Sequence, residues 1–354
     1  MAMKVIVVDG RKLDDFGIGR YLQGLLTALS CRDDPWSFVV PCRSARSAWV
    51  EALGPRFRPL PSSLPLYSFA ELSGFRAILA GLQPELFHAP HYVLPFGLPC
   101  PAVVTIHDPI HLLFPAWLSR PGRYPYARLM MASVVRRARR LITVSEAAAA
   151  DIRRCLHRSE LALDVIPNGG GEERGGPRPA SLDRPPFLLF VGNPMPHKNL
   201  EGLLAAYARY RARRAAPLDL VVVGGKRRAP AAGGTRYLGR VSDQELSSLY
   251  RAAHAVVIPS LYEGFGLVLL EALAAGVPAL ASDLPALREL AGESALFTDP
   301  KSEAALAEGL ERIAGDQVLR ARLNRDGPKR ARLYTWERSA EVHARLYAEI
   351  LGLW

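Results

Sequence analysis

Residues 255–278 have the sequence AVVIPSLYEGFGLVLLEALAAGVP. The apolar run at its start predicts a buried strand, and the small residues that follow predict a loop. We expect a helix from about Gly266 to Gly276, because glycine is typical just past the end of a helix and a proline follows two residues later. Another apolar run follows at 279–282, so the segment predicts a strand–helix–strand unit of a parallel α/β sheet.

The same alternation of apolar runs and longer helical patterns extends along the whole chain. Between its two halves, residues 169–179 are rich in glycine and proline, which predicts a domain boundary. The first half contains six predicted strands, at residues 4–8, 37–41, 86–89, 102–106, 141–144 and 164–166. The second half contains five, at residues 187–191, 218–223, 255–258, 279–282 and 295–298. We therefore expect two doubly wound α/β domains, residues 1–176 and 177–335, followed by a C-terminal helix at 336–354 that packs back toward the first.

The composition is that of a globular protein, with 49% hydrophobic residues. Apolar runs all fall short of the about 18 residues that a membrane span needs, and the N-terminus lacks the features of a signal peptide, so we expect a cytoplasmic location. The four cysteines have no C-x-x-C spacing, which argues against a structural zinc site or a disulfide framework.

Glu271 is the only polar residue within the run 267–275. A helix that is apolar on all sides is a buried one, and a carboxylate on it needs hydrogen-bond donors. Ligand hydroxyls would supply them; a buried arginine or a backbone amide is the alternative. The N–H groups of Phe265, Gly266 and Leu267, at the start of the helix, suit a bound phosphate.

Residues 187–200, FLLFVGNPMPHKNL, predict a strand, a loop and a helix that begins near Leu200 with Asn199 as its N-cap. Lys198 then lies at the positive end of the helix dipole, which is unfavourable for a cation unless an anion binds between them. A solvated lysine is the alternative interpretation.

Two more segments place polar residues after predicted strands. Residues 9–21, DGRKLDDFGIGRY, predict a glycine-containing loop before a helix, which is a geometry that suits phosphate. The pattern is not G-x-G-x-x-G, because Leu22 stands where the third glycine would be, so a dinucleotide cofactor is not supported. His107 directly follows the strand 102–106 and lies on the ligand side of the sheet; a histidine satisfied by local backbone is the alternative.

Glu263 and Glu271 form an E-x7-E pair within residues 259–278, and this segment resembles the signature of the family 4 retaining glycosyltransferases. The resemblance spans nearly the whole chain. It implies the GT-B fold, in which two Rossmann-like domains face each other across a cleft. The first would bind the acceptor and the second the nucleotide sugar.

The resemblance also assigns roles to individual residues. Glu271 would hold the ribose hydroxyls of the donor, Glu263 would contact the transferred sugar, and Lys198 would grip the diphosphate. Glu263, Lys198 and His107 are the expected catalytic residues, with His107 near the transferred sugar. The other expected donor-binding residues are Gly17, Gly19, Gly192, Asn193, Arg240, Gly264, Phe265, Gly266 and Leu267. The chain departs from the family pattern at Asn193 and His197, where many relatives have arginine, which leaves open which cation supplements Lys198.

The implied activity is the transfer of a hexosyl group, with retention, from a nucleoside-diphosphate sugar. GDP-mannose is the first expectation for the donor and a UDP sugar the next. The acceptor would be a glycan, a lipid-linked molecule or a small molecule. No metal or other cofactor is expected, because the sequence has no Asp-x-Asp element in a loop that would hold a divalent ion. The alternatives are a noncatalytic nucleotide-sugar or phosphate-binding protein and a nucleotide-sugar-modifying enzyme.

The net charge of +11 is concentrated between residues 120 and 160, which contain ten arginines and three acidic residues. Such a window suits anionic lipid, a phosphorylated acceptor or nucleic acid. A solvated helix face in an arginine-rich chain is the alternative, since the protein has 39 arginines and only 6 lysines. No nucleic-acid recognition motif accompanies the charge, so a nucleic-acid partner is not expected. The helical window 127–140 suits peripheral contact with an anionic membrane, on the inner face of the cell membrane. An amphipathic helix that packs on its sheet is the alternative.

Overall fold

The computed structural model describes residues 3–117, 122–170, 186–193, 195–224 and 233–353, apart from the side chains of residues 69–71. The chain divides into two compact units, which we call the first unit (Met1–Gly169 with Trp336–Trp354) and the second unit (Gly170–Thr335). Each consists of a parallel sheet with flanking helices. The predicted α/β class is therefore confirmed, and the boundary between the units lies in the stretch that is rich in glycine and proline.

In the described part of the first unit, seven parallel strands form one sheet in the order β3-β2-β1-β4-β5-β6-β7. The strands are β1 (Lys4–Val8), β2 (Trp36–Cys42), β3 (Phe57–Pro61), β4 (Leu86–Ala89), β5 (Ala102–Thr105), β6 (Arg140–Thr143) and β7 (Asp164–Val165). The helices that precede the second unit are α1 (Gly17–Ser30), α2 (Ser47–Glu51), α3 (Phe69–Leu82), α4 (Ile110–Leu113), α5 (Arg123–Arg137) and α6 (Glu146–Leu156). Sequence analysis missed β3, because its sequence FRPLP contains two prolines, which are tolerated here at the edge of the sheet.

The described part of the second unit repeats this architecture with six parallel strands in the order β10-β9-β8-β11-β12-β13. The strands are β8 (Phe187–Val191), β9 (Asp219–Val223), β10 (Thr235–Gly239), β11 (Ala255–Ile258), β12 (Ala279–Ser282) and β13 (Leu296–Thr298). The helices are α7 (Leu200–Ala212), α8 (Asp243–Ala252), α9 (Leu267–Ala274), α10 (Pro285–Ala291), α11 (Glu303–Gly315) and α12 (Gln317–Ala331). Sequence analysis also missed β10, an edge strand without fully buried residues and so without an apolar run.

The strand order reverses between β1 and β4 in the first unit and between β8 and β11 in the second. In open α/β sheets, ligands bind beyond the carboxyl ends of the strands at such a switch point. Lys198 follows β8 in the chain, and Glu263 follows β11. The topology of the second unit therefore predicts a ligand site at the loops that carry these two residues.

The C-terminal helix, α13 (Trp336–Leu351), packs into the core of the first unit. A Cβ atom on Gly24 of α1 would collide with the Trp336 indole, so this glycine allows the two helices to approach closely. His343 of α13 is fully buried, with its Nε2 3.0 Å from the Tyr21 hydroxyl. Tyr347 lies one turn further along, with its hydroxyl 2.6 Å from His88 Nδ1 at the end of β4. A buried polar network thus ties the C-terminal helix to the first sheet.

Candidate functional site

Lys198 and Glu263 form an ion pair at the carboxyl ends of β8 and β11, with Nζ 2.7 Å from Oε1. Lys198 ends a 3-10 turn that follows β8, and Glu263 lies in the loop between β11 and α9. The two side chains are 18% and 12% exposed. Ser260 donates a second hydrogen bond of 2.7 Å to the same Oε1. The structure therefore brings together two of the residues that the sequence predicted for the site.

Glu263 is ionised at neutral pH. Burial by itself raises the pKa of the carboxyl, but the Lys198 ammonium and the Ser260 hydroxyl hold it below its ordinary value. The result is a carboxylate and an ammonium that neutralise each other where an anionic ligand would have to enter.

Asn199 fastens the loop that carries Lys198. Its side-chain amide donates to the carbonyl oxygens of Pro259 and Pro300, at 3.0 and 2.9 Å. The prediction that this side chain caps α7 is wrong: Asn199 precedes the helix, but its backbone is left-handed (φ +54°) and its side chain makes no cap. Leu261 adds a backbone hydrogen bond of 2.7 Å to the His197 carbonyl. The loops after β8 and β11 are therefore tied together, which fixes the position of Lys198.

Gly266 sets the start of α9. Its φ of +107° is in the region that favours glycine, and a Cβ atom there would lie 2.5 Å from Leu287 Cδ2. The helix begins at Leu267, and the N–H groups at the start of any helix lack intrahelical acceptors. Gly264, Phe265 and Gly266, which directly precede this first turn, are buried.

Glu271 lies on the accessible face of α9. Leu267, Val268 and Glu271 are half-buried at helical spacing, whereas the opposite face of α9 is buried. The prediction that this helix is buried on all sides is therefore wrong. The Tyr250 hydroxyl of α8 donates a 2.9 Å hydrogen bond to Glu271 Oε2. A tyrosine hydroxyl is thus one partner of the carboxylate, where the sequence had suggested a ligand, an arginine or a backbone amide.

Gly192 and Asn193 follow β8 directly. The Gly192 N–H donates to the Val223 carbonyl at 3.0 Å, and a Cβ atom on Gly224 would lie 2.5 Å from the Gly192 oxygen. Asn193 Oδ1 is buried, and it has no hydrogen-bond partner among the described residues. A buried amide oxygen without a partner has unused capacity to accept a hydrogen bond.

Arg240 comes directly after β10 and is exposed. Two strand spacings separate β10 from β8 in the sheet order, which corresponds to about 10 Å. Arg240 therefore follows the carboxyl end of its strand, as Lys198 does, two strands away from β8 in the sheet.

The structure places Gly17 and Gly19 in the first turn of α1, so the prediction of a glycine loop ahead of the helix is wrong. The backbone of Lys12 and Leu13 lies against this first turn. A Cβ atom on Gly19 would lie 2.7 Å from the Leu13 carbonyl oxygen, whereas one on Gly17 would meet open space. Gly19 is therefore required for close packing, and Gly17 leaves the start of the helix accessible.

His107 lies just beyond β5, as the sequence predicts, and belongs to the first unit together with Gly17 and Gly19. Its Nε2 donates to the Pro90 carbonyl at 3.0 Å, and its ring meets Tyr21 edge to face at 4.8 Å. Burial lowers the pKa of His107 from 6.5 to about 4. The ring is therefore neutral at pH 7 and carries its proton on Nε2, which leaves Nδ1 as an acceptor.

Sequence analysis missed two residues that orient the candidate site. Ser260 lies within the segment 255–278 and three residues before Glu263, so its role could have been suspected. Tyr250 lies inside α8, away from any strand end, and no local pattern distinguishes it. Its contact with Glu271 depends on how α8 and α9 pack in three dimensions.

Comparison with known protein families and structures gives consistent results. The model of the glycosyl transferases group 1 matches residues 177–330, and the model of Glycosyltransferase Family 4 matches residues 17–170. The O-antigen chain mannosyltransferase B of Escherichia coli is 29% identical over 279 residues, which cover 73% of each chain.

Solved structures that resemble the whole chain include the following two. A sucrose-phosphate synthase from Thermosynechococcus elongatus matches with a TM-score of 0.81 at 21% identity, covering 100% of both chains. The Anabaena protein HepE in complex with UDP and glucose matches with a TM-score of 0.77 at 20% identity, covering 98% of this chain and 100% of the other. The family matches, which together extend from residue 17 to residue 330, confirm the predicted family. The chain belongs to family 4 of the glycosyltransferases and has the GT-B fold.

Proposed function

We propose that this glycosyltransferase moves a hexosyl group from a nucleoside-diphosphate sugar to a glycan, lipid-linked or small-molecule acceptor, with retention and without a metal ion. GDP-mannose is the first candidate for the donor, which the similarity to a mannosyltransferase supports. A UDP sugar is the second, because the similar HepE protein is known in complex with UDP and glucose. Retention is the stereochemical outcome that the E-x7-E pair Glu263 and Glu271 implies by resemblance.

The observation that carries the proposal is the position of Lys198, held beside the switch point of the second sheet. A departing nucleoside diphosphate develops negative charge, and a fixed ammonium in a partly buried site stabilises that charge. The N-terminus of α9, which opens at Gly266, contributes the same sign of potential. These groups supply electrostatic stabilisation from the protein itself.

Two further side chains suit the nucleoside and the sugar. Glu271 accepts hydrogen bonds, as the two hydroxyls of a ribose require, and Tyr250 orients its carboxylate. The buried Asn193 Oδ1 offers an acceptor to a hydroxyl of the donor. His107, neutral with Nδ1 as an acceptor, is proposed to contact a hydroxyl of the transferred sugar and not to exchange a proton at neutral pH.

A panel of nucleotide sugars, incubated with the protein in EDTA, tests this proposal. We expect one donor, GDP-mannose before the UDP sugars, to release its nucleoside diphosphate, as mass spectrometry would show. The rate should be the same with added Mg²⁺, because Lys198 supplies the charge that a metal would otherwise supply. Release that requires Mg²⁺ would contradict the metal-free site. Tight binding of a donor without any release, with or without sugar acceptors, would favour the noncatalytic alternative.

We also propose that the outer face of α5 contacts an anionic membrane surface. The sequence contains no acidic residue between Asp108 and Glu146. The arginines Arg123, Arg128, Arg136 and Arg139 are exposed on or just after α5, and Leu129 between them is 64% exposed. Arginines beside an exposed apolar side chain suit phosphate headgroups and the interface beneath them. No helix in the described ranges is long and apolar enough to cross a bilayer.

Co-sedimentation with vesicles tests the membrane contact. We expect binding to vesicles that contain phosphatidylglycerol and loss of that binding in a variant with serine at positions 123, 128 and 136. As a control, Arg209, Arg213 and Arg325, which are exposed in the second unit, would be replaced by serine with the same change in net charge. Equal loss in both variants would show a general charge effect, and equal binding to neutral vesicles would contradict the proposal.

A further inference from the structure

Lys198, the residue proposed to hold the donor diphosphate, already has an anionic partner in Glu263. The 2.7 Å contact joins side chains that are 18% and 12% exposed. Charges that are largely withdrawn from water interact more strongly than a surface pair does. By contrast, the pair between Arg213 and Glu311 in the same unit is 52% and 33% exposed. A ligand that needs the Lys198 ammonium must therefore compete with a strong internal partner.

A diphosphate at Lys198 would also feel the charge of Glu263 directly. A phosphate oxygen at hydrogen-bond distance from Nζ lies within about 6 Å of Oε1, because each of the two contacts is about 3 Å long. Like charges at this separation repel each other appreciably in a partly buried site. Binding therefore requires the carboxylate to give up at least part of its contact with Lys198.

Ser260 can keep a hydrogen bond to Glu263 when Lys198 no longer contacts this carboxylate. Its hydroxyl donates to the same Oε1 atom as Lys198, at 2.7 Å. Once Lys198 turns toward a phosphate, Ser260 is the hydrogen-bond donor that stays on this oxygen. A carboxylate that is 12% exposed needs further donors, because an unsatisfied buried charge is costly.

We propose that Glu263 is an internal competitor for Lys198 that weakens the binding of a free nucleoside diphosphate relative to the intact donor. The inference rests on the proposed function. The sugar of an intact donor brings hydroxyl groups that replace Lys198 as donors to Glu263, whereas a nucleoside diphosphate brings none. The ion pair thereby favours the substrate over the spent product and assists product release. Ser260 is a positioning residue that keeps Glu263 in place while Lys198 is engaged.

Isothermal titration of GDP and UDP into the parent protein and its variants tests the competition. Glu263→Gln should bind the preferred diphosphate about tenfold more tightly, because Lys198 becomes available, while donor turnover falls. Ser260→Ala should bind the diphosphate a few-fold more weakly. Without the Ser260 hydroxyl, Glu263 has no remaining donor when Lys198 leaves, so it holds Lys198 more strongly. Glu311→Gln, the matched control, removes one carboxylate of the same unit that contacts Arg213 instead, and should leave the affinity unchanged.

The affinities of the parent and the three variants for the diphosphate show whether Glu263 competes with it for Lys198. Equal or weaker diphosphate binding in Glu263→Gln would overturn the inference, and so would an equal gain in Glu311→Gln, which would show a long-range charge effect. Ser260→Ala leaves the net charge unchanged, so its weaker binding cannot come from altered charge, and melting curves would show that each variant is folded. If the parent protein bound neither these diphosphates nor any nucleotide sugar, the proposed function itself would fail.

Discussion

Replacing Lys198 by alanine is expected to lower kcat/KM for the donor by about a hundred- to a thousandfold. The ammonium is proposed to stabilise the charge that develops on the departing diphosphate, and that charge is larger in the transition state than in the bound donor. The loss should therefore appear mainly in kcat. Single-turnover measurement of released nucleoside diphosphate would separate this effect from a change in donor binding.

The control for this prediction is Lys301→Ala, which removes an exposed lysine that lies beyond β13 in the same unit. The Lys301→Ala protein should retain parental activity, because the exposed Lys301 side chain does not belong to the ion pair between the loops after β8 and β11. A Lys198→Ala protein that melts like the parent and keeps more than about a tenth of its kcat would contradict the assigned role.

The first unit is expected to lose several kcal/mol of stability as the pH falls from about 6.5 to 4. Burial lowers the pKa of His343 to about 4 and that of His91 to about 3, and the pKa values of His88 and His107 are lowered as well. These rings are neutral in the folded protein, but they take up protons in the unfolded chain below pH 6.5. Stability is thus fully present above pH 6.5 and declines toward pH 4. His343 alone accounts for about 3 kcal/mol, since one pKa unit corresponds to about 1.4 kcal/mol.

Tryptophan fluorescence is a suitable measurement, because all five tryptophans lie in the residue ranges of the first unit. Urea unfolding between pH 4 and 7 should show His343→Gln to be less stable than the parent at pH 7 but to lose less stability on acidification. His157→Asn removes an exposed histidine at the end of α6 and serves as the control. Parallel pH profiles for the parent and His343→Gln would contradict the account.

The local pattern of the sequence is sufficient to predict most of the fold. All eleven predicted strands end within two residues of the observed ends because their apolar runs are buried, as in β8 and β11. The two strands that were missed lie at sheet edges, where prolines in β3 and polar, half-exposed residues in β10 conceal the pattern. Edge strands are not enclosed on both sides, so their sequences are less constrained.

The candidate site is only partly predictable from the sequence. Lys198 and Glu263 each follow a predicted strand, but their contact depends on β8 and β11 being neighbours, which is a long-range property. The side chain of Asn199 binds two distant loops in place of the local cap that its position suggests. The sequence predicts Gly17 and Gly19 in a loop because glycine is typical of loops, whereas Gly19 is required here for the close approach of the Leu13 backbone to α1. Local patterns predict which residues border the site, and the contacts among them come from the packing of the sheet.

The most direct test of the central claim is a crystal structure of the protein with the nucleoside diphosphate that the donor panel selects. We expect the diphosphate within hydrogen-bond distance of Lys198 Nζ, the ribose hydroxyls on Glu271, and the Lys198 ammonium turned away from Glu263, which keeps its hydrogen bond from Ser260. A nucleotide bound elsewhere, or bound at this edge of the sheet with the Lys198–Glu263 contact unchanged and Glu271 untouched, would contradict the account.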